Sequence, residues 1–262
     1  MTKISSRGNP LFKTLLKLAQ SARERRKAGL ALLEGVHLAQ VYLQAVGLPQ
    51  TVVVAEAQLR NPEIERLLAR LESTQTVVLP EALFAQLSTL ASPAGLLSVI
   101  ATPAPPALLP EQMDCCLILE DLQDPGNLGS ILRSAAGAAI RHVVLSPHCV
   151  HAWSPRVVRA AMGAHFLLQI HEQADLVQVL AGFKGRVVAT GTQGGSPVFD
   201  AALTGRLALL IGNEGAGLSQ PLLAAADEIV CIPMPGGTES LNAAAAAAIC
   251  LFERVRQQLL QR

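Results

Sequence analysis

Ala208-Leu209-Leu210-Ile211-Gly212-Asn213-Glu214-Gly215-Ala216-Gly217-Leu218-Ser219 sets the fold class of this chain. Its four leading apolar residues show no alternation, the pattern of a strand buried on both faces. They run without a spacer into three glycines around an Asn-Glu pair. In open parallel sheets the ligand crevice lies beyond the carboxyl ends of the strands, so this junction marks architecture and site together. The loop is not a phosphate loop, because no Gly-Lys-Ser/Thr follows and Glu214 would repel phosphate. Its glycine spacing does not fit the dinucleotide pattern either. Bare amides and carbonyls suit a ligand with a positive centre, or an adenine read by backbone groups. The plain alternative is a glycine-rich turn.

Outward from this junction the same alternation recurs. Apolar runs at 116–119, 142–145, 166–170, 187–190 and 229–232 read as strands. Stretches at 127–139, 155–162, 173–182, 219–226 and 240–260 read as helices, which predicts an α/β domain with a parallel sheet covered on both faces. Upstream, Thr102-Pro103-Ala104-Pro105-Pro106-Ala107-Leu108-Leu109-Pro110 holds four prolines in nine residues, a stiff extended connector. The expected division is therefore 1–101, a linker at 102–110, and 111–262. In the first part Pro10 opens an amphipathic helix with Leu11, Leu15, Leu18, Ala19 and Ala22 on one stripe. Strands at 31–33, 52–55, 76–79 and 96–100 alternate with helices at 35–46, 62–72 and 81–88, again an α/β sandwich.

The 262 residues carry 21 Lys and Arg against 20 Asp and Glu, a net charge of +1, so no strongly basic total announces a nucleic acid. Distribution says more than the sum. Residues 1–28 hold Lys3, Arg7, Lys13, Lys17, Arg23, Arg25, Arg26 and Lys27 with the single acid Glu24. One end can grip a polyanion while the rest stays near neutral; a solvated helix face is the bland alternative. Five cysteines without a Cys-x-x-Cys fit reduced thiols in a cytoplasmic protein. No metal is expected, since nothing completes a ligand set around His142, His148 and His151. The N-terminus lacks an apolar signal core and the apolar stretch at 243–252 is half a bilayer span, so no membrane is expected.

Two further loops follow strands. Glu120-Asp121-Leu122-Gln123-Asp124-Pro125-Gly126-Asn127-Leu128-Gly129 leads into a helix carrying Arg133. Asn127 and Arg133, nearly two turns apart, can face one region. Ile232-Pro233-Met234-Pro235-Gly236-Gly237-Thr238-Glu239-Ser240-Leu241-Asn242 leads into six alanines, with Ser240 as the expected N-cap.

At these three loops, over residues 112–260, the chain resembles the TrmH/SpoU branch of the SPOUT superfamily, the RNA 2′-O-ribose methyltransferases. The motifs are Asp124-Pro125 … Asn127 … Gly129 … Arg133, then Ile211-Gly212-Asn213-Glu214-Gly215 … Gly217-Leu218, then Ile232-Pro233-Met234 … Gly236 … Ser240-Leu241-Asn242. More loosely, residues 1–100 are similar to the L30e-like substrate-binding domain, through Ser6, Asn9, Lys13, Leu18, Arg25 and Leu33-Glu34-Gly35. The resemblance implies a SPOUT-type parallel sheet with a trefoil knot, a homodimer, and S-adenosylmethionine as cofactor. It implies cofactor contacts at Gly212, Ile232 and Leu241, with Thr190 a weaker candidate. Arg133, Asn127, Glu214, Ser240 and Asn242 would form the catalytic cluster, and Lys13, Arg23, Arg25, Arg26 and Lys27 would hold RNA. A structured RNA is the implied substrate, ribosomal in preference to transfer RNA. A tRNA 2′-O-methyltransferase, a base methyltransferase and an inactive RNA-binding protein of the same fold are the competing expectations.

Overall fold

The computed structural model describes residues 1–191 and 194–261 and falls into two compact units. The first comprises Met1–Ala104 together with Trp153–Phe166. Its elements are β1 (Thr2–Lys3), α1 (Pro10–Gln20), α2 (Ala22–Ala28), β2 (Leu30–Glu34), α3 (Val36–Ala45), β3 (Thr51–Ala55), α4 (Pro62–Ala69), β4 (Gln75–Leu79), α5 (Glu81–Leu87) and β5 (Leu96–Ala101). The five strands lie in the order β1-β4-β3-β5-β2, with β5 antiparallel to both neighbours.

The Pro10 helix is two helices. Asn9 caps the first, its Oδ1 accepting from the amides of Leu11 and Phe12 at 2.9 and 3.3 Å. Ser21 closes it, donating its amide to the Lys17 carbonyl, and its hydroxyl then caps α2 through the Glu24 amide. Phe12, Leu15 and Leu18 enter a core with Ile4, Leu32, Val53, Val77 and Leu79. α2 stops at Gly29, left-handed at φ 62°.

The second unit comprises Pro105–Ala152 and Leu167–Arg262. It contains β6 (Cys115–Leu119), α6 (Pro125–Gly137) and β7 (His142–Leu145), after which the chain visits the first unit as α7 (Pro155–Ala161). It then returns as β8 (Gln169–His171), α8 (Leu176–Gly182), β9 (Arg186–Thr190), β10 (Ser196–Pro197), β11 (Leu207–Ile211), α9 (Gln220–Ala224), β12 (Glu228–Cys231) and α10 (Ala243–Leu260). The seven strands run in the order β10-β12-β9-β11-β6-β7-β8, every pair parallel, as the continuous apolar runs predict.

Three expectations need correction. The strand read at 166–170 is Gln169–His171. Ala164–Leu167 is a 3₁₀ turn, because Phe166 leaves the run to pack edge-on against Tyr42 at 5.3 Å. Ser240 does not cap α10: Asn242 does, its Oδ1 accepting from the amides of Ala244 and Ala245 at 2.9 and 3.3 Å. And a cut at the proline linker does not separate the units completely, since Trp153–Phe166 packs with the first.

α10 packs on α6, and Ala243 and Ala247 are among its buried residues. Farther along, Arg254 donates to the Leu203 carbonyl at 2.6 Å, and Gln257 bonds both Ala201 and Leu203 at 2.8 Å. These bonds fasten residues 201–203 to the helix.

Candidate active site

Strands β6, β11, β9 and β12 are neighbours in one parallel sheet, so the loops after them open at the same edge. Asp124 starts the build, its carboxylate capping α6 through the Asn127 amide at 2.7 Å. Pro125 follows at the first helical position. This sets Asn127 in the first turn, with its side chain free to reach outward. Its Nδ2 donates to Glu214 Oε1 of the glycine loop at 3.0 Å. Its Oδ1 accepts from Asn242 Nδ2 at 2.8 Å. Three loops separated by 87 and 115 residues thus meet at one amide.

The direction of this chain is dictated at both ends. An ionised carboxylate only accepts, so Asn127 must turn its NH₂ toward Glu214 and its oxygen toward Asn242. The amides at the start of α10 only donate, so Asn242 must turn its oxygen to them and its NH₂ to Asn127. Neither amide can flip without breaking bonds at both of its ends. The arrangement is preorganised, and Asn242 serves as cap and as link at once.

The glycine loop is held from within and from outside. Asn213 Oδ1 accepts from the amides of Gly215 and Ala216 at 2.9 and 3.0 Å, and its backbone pairs both ways with Gly217. Its Nδ2 donates to the Asp121 carbonyl at 2.8 Å. Gly212 is required where it stands: a Cβ there would lie 2.3 Å from the Gly217 carbonyl carbon. Ile232 is half-buried and Leu241 is 38% exposed, leaving apolar surface on the loop after β12. Thr190 closes β9 with its hydroxyl donating to the Leu210 carbonyl at 2.9 Å.

Arg133 and Ser240 are not joined to this cluster. Both are exposed, and among the described residues neither side chain has a hydrogen bond or ion pair. Arg133 projects from the helix that carries Asn127, about 9 Å farther along its axis.

Sequence reasoning missed the supports. Asp121, left-handed at φ 53°, donates its amide to Ser146 Oγ at 2.9 Å and takes the Ser146 hydroxyl on its carboxylate at 2.5 Å. With its carbonyl held by Asn213, Asp121 is fixed through three groups. Glu120 accepts the Ser219 amide at 2.7 Å, tying the first loop to the end of the second. The available signal was an Asp two residues beyond a strand end, a residue that tolerates left-handed backbone.

Residues 114–252 match the model of the SpoU rRNA Methylase family, and residues 9–98 that of the MRM3-like substrate binding domain. The chain belongs to the SpoU rRNA methylase family. It is an enzyme of the methyltransferase class, with the family's mixed α/β fold. Among this family's members it is 34% identical to an uncharacterised tRNA/rRNA methyltransferase of Synechocystis, over 98% of this chain and 95% of the other. It is 30% identical to the 23S rRNA (guanosine(2553)-2'-O)-methyltransferase RlmP of Bacillus subtilis, over 96% and 98%. The crystal structure of the SpoU methyltransferase AviRb of Streptomyces viridochromogenes, in complex with AdoMet, superposes with a TM-score of 0.87. It is 29% identical, and the match covers 96% of this chain and 98% of that one.

In this SpoU chain the basic candidates of the first unit divide. Lys13, Arg23, Arg26 and Lys27 are exposed. Arg25 is only 4% exposed and gives its Nη1 to the Leu18 and Ala19 carbonyls at 2.7 and 3.3 Å. It satisfies the end of α1 and is not presented to a polyanion, which corrects the expectation for that residue. Among the described residues no group of three His, Cys, Asp or Glu is placed to hold a metal, and no helix is long and apolar enough to cross a membrane.

Proposed function

We propose that this protein transfers a methyl group from S-adenosylmethionine to a ribose 2′-hydroxyl of 23S ribosomal RNA. The carrying observation is the Glu214–Asn127–Asn242 chain, which draws three distant loops to one point beside Gly212. The relatives that span both units support the substrate, being named for 23S ribosomal RNA in Bacillus subtilis and Streptomyces viridochromogenes.

The residues present fit the cofactor. Gly212 lets the loop fold back so that Gly217 and Leu218 pass against it, the exposed Gly215 and Gly217 offer bare backbone, and the exposed parts of Ile232 and Leu241 offer apolar contact to a flat ring. Thr190, its hydroxyl proton already used, offers a weaker contact. S-adenosylmethionine, when bound, supplies a methyl group activated on a sulfonium. The chain's own task is the other partner, a sugar hydroxyl that is a poor nucleophile until its proton begins to leave. Arg133, whose side chain has no partner among the described residues, would hold the nucleotide's phosphate and stabilise charge developing on the 2′-oxygen. A guanidinium is a poor base, so a phosphate oxygen or water is the better acceptor for the proton. Asn127 and Asn242, fixed in orientation, would align the sugar and Arg133. Glu214 sets the polarity of that amide chain, and Ser240 would bond the substrate from the rim.

Mapping 2′-O-methyl groups in RNA from cells with and without the gene tests the substrate. One 23S position should lose its modification; loss confined to transfer RNA would contradict the assignment. We also propose a homodimer, supported by Phe252, Leu259 and Leu260 exposed along α10 at 48%, 61% and 75%. A monomer mass in sedimentation would exclude it. A trefoil knot in residues 111–262 would keep a chain pulled from both ends short of its full contour length. The workplace would be the cytoplasm, which cell fractionation checks.

A further inference from the structure

Trp153–Phe166 lies between the sequence segments that carry the catalytic loops, yet it is built into the first unit. Rings close its base. Trp153 meets His165 at 4.7 Å and Phe166 at 6.1 Å between centroids, and Phe166 meets Tyr42 at 5.3 Å. Gly163, at φ 88°, sits where an added Cβ would lie 2.7 Å from Val41 Cγ1, so the segment passes tightly over α3. Within it, α7 turns Pro155, Val157, Val158 and Ala161 inward and packs on β2, the outer strand of the sheet.

The outward face of α7 carries Arg156 and Arg159, three residues apart and therefore neighbours on the helix surface. Both are exposed, and among the described residues neither has a hydrogen-bonding or ion-pair partner for its guanidinium. The segment brings two cations and no anion. With it the first unit holds 13 Lys and Arg against 7 Asp and Glu, while the second holds 8 against 13. The charge of +1 for the whole chain conceals this polarity. α2, which carries Arg23, Arg26 and Lys27, runs through Gly29 straight into the five-residue strand on which α7 packs. Such a strand is about 17 Å long, so the two basic surfaces lie within reach of one folded RNA.

We propose that Arg156 and Arg159 form, with the basic face of α2, one phosphate-holding surface for the RNA substrate. The proposal rests on the RNA methyltransferase assignment above and adds to it a surface outside residues 9–98, the part that matches the substrate binding domain. Paired guanidiniums suit phosphate, since each can give two parallel N–H bonds. The segment continues directly into the second unit at both ends, so RNA held there is tied by covalent chain to the catalytic loops.

The test compares wild type, Arg156→Glu/Arg159→Glu and a control, Arg60→Glu/Arg70→Glu, which makes the same charge change at two exposed positions flanking α4. The probe is transcribed 23S ribosomal RNA, with KM, kcat and the salt dependence of binding measured for each. Emission of Trp153 and the melting curve confirm an unchanged fold. The α7 pair should raise KM about tenfold with kcat within about twofold, and lower the log–log salt slope by about 1.5. The control should change each far less. Unchanged binding by the α7 pair, or an equal loss in the control, overturns the proposal. Failure of the wild type to methylate any RNA would instead sink the underlying assignment, so the two failures are distinct.

Discussion

The two units use polar side chains in opposite ways. In the second, Glu120, Asp121, Asn127, Asn213, Glu214 and Asn242 are bonded to one another or to backbone across loops far apart in sequence. In the first, Lys13, Arg23 and Lys27 project from α1 and α2, with no side-chain partner among the described residues. A fixed network serves a reaction that needs a sugar oxygen aligned to within a fraction of an ångström. Loose cations serve a polyanion whose phosphates are many and approximately placed. Damage to the first kind of surface should therefore be steep and independent of salt; damage to the second should be graded and salt-dependent.

Several variants can break that contrast. Arg133→Ala should lower single-turnover methyl transfer by about a thousandfold or more, the scale of losing a main transition-state contact, with cofactor affinity within about twofold by calorimetry. Near-normal transfer would remove Arg133 from the mechanism. Asn127→Ala strands the Glu214 carboxylate and the Asn242 amide together, and should cost about ten- to a hundredfold in kcat at any salt concentration. A loss confined to KM would mean the amide chain only shapes RNA binding. Arg23→Glu/Arg26→Glu/Lys27→Glu should raise the KM for RNA about tenfold and flatten its salt dependence, leaving kcat nearly untouched. A fall in kcat would dissolve the division of labour.

The smallest effect is one of pH. His142 and His171 stack with ring centroids 6.2 Å apart, and burial, joined by the Arg141 charge for His142 and by His142 for His171, lowers both pKa values from the usual histidine range. Protonation is thus harder in the folded state than in the unfolded chain. The stability these rings contribute is present above the unfolded pKa and is lost as pH falls through and below it toward the folded values. The melting temperature should drop between pH 7.5 and pH 5.5, and His171→Leu should shrink that drop by a few degrees. An identical drop in the variant would show that other groups set the acid sensitivity.

Much of this was legible from residue order. The apolar runs at β6, β7, β9 and β11 found their strands because a strand buried on both faces has no polar partner to confuse it, while β12, mostly half-buried, was found from its short apolar run alone. The three loops were legible as a set because each follows an apolar run and is rich in Gly, Pro, Asn or acidic residues; that their strands lie close in one sheet comes from the structure. What escaped depended on tertiary choice. Phe166 extends an apolar run but goes to Tyr42, and nothing local says so. Ser240 and Asn242 are both good caps, and only the reach of Asn242 to Ala244 and Ala245 decides between them. Arg25 sat in a basic cluster, yet Leu15, Leu18, Ala22 and Arg25 continue one helical stripe, a hint that its side chain turns inward. The Asp121–Ser146 clasp joins residues 25 apart through a left-handed turn, which no periodicity encodes.

The most direct measurement is the identity of the product. Purified protein, labelled S-adenosylmethionine and transcribed 23S ribosomal RNA are incubated, and the RNA is digested to nucleosides for mass spectrometry. All the transferred methyl should appear on the ribose 2′-oxygen of a single nucleoside. Methyl on a base, or none transferred while the cofactor binds, would contradict the assignment.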